Sequence, residues 1–174
     1  MLGLTQSGEE KQAKRQQLGF SLIELLIVVA IILIIAAIAI PNFLRARISA
    51  HESSAVSSLR TINTSEVAYN ATYGLGYGTL PQLSTPAVPC TATAASACLL
   101  DANLSTGTKS GYNFAAVPLG ASNVNFVATA VPLLVGSTGQ RTFCVDETGV
   151  VHADPTGGAA PATDVLCQTL NVIQ

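Results

Sequence analysis

From Phe20 to Ile40 the chain is apolar at nearly every position, and from Leu25 to Ile40 no polar side chain interrupts it. An apolar helix of ~20 residues fills a ~30 Å hydrocarbon layer, so residues 20–41, closed by Pro41, predict a membrane-spanning or assembly helix. After Pro41 the pattern turns amphipathic. Leu44, Ile48, Ala55, Leu59, Ile62, Tyr69 and Tyr73 recur at helical spacings, which puts them on one face of a helical continuation over 42–73 and makes them a core stripe. Arg45, Arg47, Glu52, Arg60 and Glu66 are expected on the solvated or subunit-facing remainder. No glycine intervenes between Phe20 and Gly74, so the two stretches predict one rod of 54 residues, about 80 Å long at ~1.5 Å per residue. Pro41 lies within that rod. It removes a backbone hydrogen bond and its ring crowds the carbonyl of Ala37, so it predicts a kink or a melted turn, unless it ends one helix and Asn42 begins another.

Residues 74–109 are rich in Gly, Pro, Ser, Thr and Ala and read as a long connecting loop that needs tying down. The Leu99-Leu100 patch is one candidate tie. From Gly111 the period changes to two: Gly111 to Pro118, Asn123 to Val131, Arg141 to Asp146 and the shorter Val150 to Ala153 predict a meander of three or four strands within 110–153. In the second run Val124, Phe126, Ala128 and Ala130 share one face, and Asn125, Val127, Thr129 and Val131 share the other. A small sheet must bury one face. The stripe ending in Leu59, Ile62, Tyr69 and Tyr73 is the long apolar face available, which gives an α+β head over 74–174, closed by a Gly/Pro/Ala-rich tail at 154–174.

Charge and cysteine content narrow the function classes. The 174 residues carry a net charge of −2, distributed as +1 over 1–19, −1 over 20–41, +1 over 42–73 and −3 over 74–174. No basic patch marks a nucleic-acid partner. Cys90, Cys98, Cys144 and Cys167 all follow the apolar segment, where an oxidising compartment would pair them. Four cysteines allow three connectivities, and short loops favour Cys90 with Cys98 and Cys144 with Cys167. No C-x-x-C pair exists and His51 and His152 are far apart in sequence, so no metal is expected. Asp146, Glu147, Asp154 and Asp164 lack the spacing of a calcium loop and are expected to form turns. Nucleophile, base and orienting group are nowhere grouped, so no enzyme and no cofactor are expected.

Glu24 is the informative departure from the apolar pattern. A carboxylate in a membrane segment is costly and calls for a partner. Cleavage between Gly19 and Phe20 would create an amine about one helical turn away, and the basic residues Lys11, Lys14 and Arg15 before it predict the cytoplasmic side. The run Gly19-Phe20-Ser21-Leu22-Ile23-Glu24-Leu25 resembles the class III signal of type IV prepilins and type II secretion pseudopilins, and Pro41-Asn42-Phe43 is also similar to that family. The order of leader, long helix, loop, antiparallel sheet and closed tail resembles the ladle-shaped plan of type IV pilins, most nearly that of a type IVa major pilin.

The resemblance implies that a prepilin peptidase removes residues 1–19 and methylates Phe20. It also implies that the chain waits in membrane lipid as a single-pass inner-membrane precursor, and that an inner-membrane assembly platform adds it to a helical homopolymer on the cell surface. Phe20, Glu24 and Pro41 are then the assembly residues. A proline at this place in the family's helix is associated with a bend and with local unwinding in the filament. Two other readings remain: a pseudopilin forming a periplasmic piston, or a secreted binding module cut near Ala39 by ordinary signal peptidase, given the Ala37-Ile38-Ala39 triplet.

Overall fold

The computed structural model describes residues 19–85 and 89–173. The basic leader residues Lys11, Lys14 and Arg15 lie outside the described residues. The chain divides into two units at the Ile40–Pro41 bond, and helix α1, Leu22–Tyr73, contributes to both. The helix runs through Pro41 without a break, so one helix is present where two were conceivable, and no melted turn separates Ile40 from Asn42.

In the first unit the helix from Leu22 to Ile40 carries exposed Leu, Ile and Val on all sides. It is long and apolar enough to cross a membrane, and none of its most apolar window is buried. A helix that is hydrophobic all round belongs in lipid or among other helices, because no water-facing stripe exists to keep it in solution.

The second unit is built on the later part of α1. Its buried positions include Glu52, Ala55, Leu59, Ile62, Glu66 and Tyr69, a run of alternating three- and four-residue steps that traces one face of the helix. The expected stripe is therefore present from Ala55 to Tyr69, with Tyr73 half-buried, while Leu44 is exposed and Ile48 half-buried. Glu52 and Glu66 overturn the expectation of solvated glutamates. Each falls in step with the apolar face, and helical geometry places them inward whatever their polarity.

Against this face lies a six-stranded sheet of β1 (Thr108–Lys109), β2 (Tyr112–Leu119), β3 (Asn125–Pro132), β4 (Thr142–Asp146), β5 (Val151–Asp154) and β6 (Asn171–Val172), antiparallel throughout and in sequence order. The register pairs Phe114 with Ala130, Ala130 with Phe143 and Phe143 with Ala153, so these side chains form one row across the sheet. That row and its neighbours Tyr112, Ala116, Phe126, Ala128 and Val145 pack with Ala55, Leu59, Ile62 and Tyr69 in the main core.

The opposite face holds a smaller cluster of Val127, Cys144 and Cys167, flanked by Leu119 and Leu170. Cys144 is bonded to Cys167 and Cys90 to Cys98, with Cα separations of 5.9 Å and 6.1 Å. Val124 is not in β3 as the alternation implied. It follows a turn in which Ser122 and Asn123 take positive φ, and it is exposed.

The stretch 74–109 is less loop-like than its composition suggested. It contains α2 (Leu80–Leu83), α3 (Ala102–Ser105) and the first residues of the sheet, and it sends Leu80, Leu83, Ala97, Leu100 and Leu104 into the core. Asp101 caps α3 by accepting from the Leu104 N–H at 2.9 Å, and Thr163 caps α4 (Asp164–Gln168) by accepting from the Leu166 N–H at 3.2 Å. The tail also contributes β6, which pairs with β5.

Candidate functional site

The first turn of α1 sets the geometry of the N-terminal site. Gly19, Phe20 and Ser21 precede the helix, and Phe20 is 83% exposed. Ser21 stands at the cap and Glu24 three residues on, where a carboxylate can reach back to the cap amide. It does so: the Ser21 N–H donates to Glu24 Oε2 at 2.9 Å. The carboxylate also lies in the first turn, where the helix dipole favours negative charge. Sequence spacing thus gives Glu24 a local role as a cap as well as its anomalous charge in an apolar segment. One oxygen caps the helix, and neither ion pair among the described residues involves Glu24.

The remaining chemistry-bearing residues are dispersed. His51 Nδ1 lies 3.1 Å from the Thr138 carbonyl, whereas His152 Nδ1 lies 3.0 Å from that of Leu170 on the far edge of the sheet. Asp146 Oδ1 accepts from the Thr148 N–H at 2.9 Å and Asp154 Oδ1 from the Thr156 N–H at 2.8 Å, so both shape turns. The Thr156 N–H also holds the Asp154 carboxyl below the usual carboxylate range, and the Asn125 side-chain amide does the same for Asp164. Among the described residues no three His, Cys, Asp or Glu side chains are grouped as metal ligands. A cavity of about 280 Å³ beside Arg141 is lined by Ala153, Pro155, Asn171, Val172 and Ile173, which bring no nucleophile and base together.

Sequence reasoning missed two polar sites in the head. Glu52 is 7% exposed and gathers four donors. Its Oε1 accepts from the Gln140 and Arg141 N–H groups at 2.9 and 3.2 Å, and its Oε2 from Arg141 Nε and Nη2 at 2.9 and 2.8 Å. The clamp joins α1 to the start of β4, and the guanidinium carbon stands 5.1 Å from the Phe143 ring centroid. Glu66 is fully buried and accepts from the Gly78 N–H at 2.8 Å. Both lie seven residues from Leu59, a spacing visible in the sequence that residue type obscured.

Comparison with known proteins bears on the same N-terminal segment. Residues 14–40 match the family model of the prokaryotic N-terminal methylation motif. The chain is 49% identical over 51 residues to a protein of Myxococcus xanthus (strain DK1622) described as Type IV major pilin protein PilA. That match covers 29% of this chain and 23% of the relative, so the chain spans under a quarter of the relative's length. No solved structure matches the chain significantly. Over its N-terminal segment the chain is thus similar to a type IV major pilin, and its fold is a long N-terminal helix joined to an antiparallel sheet.

Proposed function

We propose that this chain is a structural subunit that polymerises into a type IV pilus filament after cleavage between Gly19 and Phe20 and methylation of Phe20. The observation that carries the reading is a helix apolar on every side with a single acid in its first turn. In the precursor, lipid covers Leu22 to Ile40. In the filament, the same side chains pack against equivalent helices of other copies, exchanging one apolar environment for another. Each transfer must also dispose of the Glu24 charge, and an unpaired charge in an apolar core costs several kcal/mol. The new Phe20 amine of a neighbouring copy supplies the counter-ion, so the pair sets axial register. Methylation leaves that amine cationic.

Prepilin peptidase, membrane lipid and an inner-membrane assembly platform are the partners this route requires. The basic leader favours a cytoplasmic N-terminus, and the two disulfides favour a head outside the cytoplasm. The named relative is a major pilin, which favours a surface fibre over a secretion piston.

The test separates the two roles of Glu24. Glu24→Gln keeps an oxygen for the Ser21 N–H but removes the charge, whereas Glu24→Ala removes both. If the charge sets register, both variants are processed normally and both assemble poorly. Normal fibre yield from Glu24→Gln would leave Glu24 with its capping role alone and remove the register mechanism.

A further inference from the structure

The clearest unexplained group in the head is Glu66. Its side chain is fully enclosed, yet only Oε2 has a partner, the Gly78 N–H at 2.8 Å, while Oε1 is buried with none. A carboxylate so placed would hold a full charge with one hydrogen bond, an arrangement that proteins avoid unless the charge is compensated. No compensation is present: neither ion pair among the described residues includes Glu66. The titratable groups that interact here are the hydroxyls of Tyr69, on the next turn of α1, and of Tyr73 behind it, with ring centroids 5.0 Å apart. On the other side, Gly78 and Gln82 face Tyr69 and bring amides but no charge.

The partner of Glu66 belongs to the short connection between α1 and α2. The connection from Gly74 to Thr79 leaves α1 through two glycines at positive φ, 63° at Gly74 and 81° at Gly76, a region where other residues are strained. Its first residue is tied to α1 by the Gly74 N–H donating to the Asn70 carbonyl at 2.9 Å, and three holds lie beyond it. The Tyr77 N–H donates to the Asn123 carbonyl at 2.9 Å, the Tyr77 ring lies 4.6 Å from that of Phe126, and the Gly78 N–H meets Glu66. The first two holds tie the connection to the β2–β3 turn and to β3. The Glu66 bond alone among these three ties it back to α1.

We propose that Glu66 is a proton-gated latch: as the neutral acid it keeps the Gly74-to-Thr79 connection closed on α1, and when its proton leaves to bulk water the connection loosens. Burial pushes the Glu66 carboxyl up to about 7, against a downward pull from the Gly78 N–H, so the change falls near neutrality. The folded-state value lies above the ordinary one. The stability that Glu66 contributes to the head is therefore fully present below the ordinary carboxyl range and is lost as pH rises through about 7.

The experiment uses the full chain in detergent micelles and follows the Gly78 and Tyr77 amides by NMR between about pH 5 and about pH 9, with hydrogen exchange corrected for intrinsic chemistry. In the wild type the Gly78 amide shift should titrate with a midpoint near 7, and the protection of both amides should fall at least about tenfold across it. Glu66→Gln, neutral at all pH, should keep its protection throughout. A flat wild-type profile, a midpoint in the ordinary carboxyl range, or the same loss of protection in Glu66→Gln would overturn the latch. Should the variant fold poorly, the wild-type titration decides by itself.

Discussion

Replacing Glu52 by Gln tests whether the head is clamped to its helix by charge or by packing alone. Four donors converge on the two carboxylate oxygens, two from backbone amides and two from the Arg141 guanidinium. An amide side chain presents one oxygen and one NH2, so whichever way it turns, one donor pair faces another donor. Removing one partner of a fully buried pair costs about 3–5 kcal/mol. Here the Arg141 side chain is 42% exposed, so water recovers part of the guanidinium's solvation. The range for hydrogen bonds to charged groups, about 1.5–3 kcal/mol, is then the better guide, and a loss of about 2 kcal/mol is expected.

For a chain of this size that lowers Tm by about 4–8 °C. Thermal unfolding followed by circular dichroism, at constant detergent concentration, reads the change. A cycle with Arg141→Met, which keeps an aliphatic stem over Phe143, should give a coupling energy of about 1–2 kcal/mol. A Glu52→Gln change within about 0.5 kcal/mol of wild type, or simple additivity in the cycle, would refute the clamp.

Two further changes probe the head. The Cys144–Cys167 bond closes 23 residues and the Cys90–Cys98 bond 8; loop-closure entropy gives about 3.5 and about 2.5 kcal/mol. Replacing Cys144 and Cys167 by Ser should therefore cost more in denaturant unfolding than replacing Cys90 and Cys98, the more so because Cys144 and Cys167 are buried with Val127. Gly76→Ala should cost more than about 1 kcal/mol by the same assay, since φ is 81° there and a Cβ would collide with the carbonyl oxygens of Ser122 and Asn123.

Strong periodicity makes the large elements legible. The apolar run at 20–41, the inward step from Ala55 to Tyr69 and the alternation through Phe126, Ala128 and Ala130 are each repeated often enough to outweigh local composition. The motif around Gly19, Phe20 and Glu24 is legible for a different reason: it is contiguous in sequence, and its anomaly is chemical. What escapes lacks either property. β1 and β6 have two residues each and exist because longer strands offer them an edge. α2 and α3 have four residues each, too few to show a helical period in a segment full of Pro, Gly and Ser. Glu52 and Glu66 escape because their residue type points outward while their register points inward, positions 52, 59 and 66 lying seven apart on one helix face. Their partners, Arg141 and Gly78, come from segments whose approach only the folded chain defines.

The central claim is that the apolar helix stays with the mature chain and begins at a freshly made amine beside Glu24. Intact-mass measurement of the mature protein tests it most directly. The account predicts a chain that starts at Phe20 and carries one added methyl group. A chain that starts near Ile40, without the apolar helix, or one that still carries residues 1–19, would contradict it.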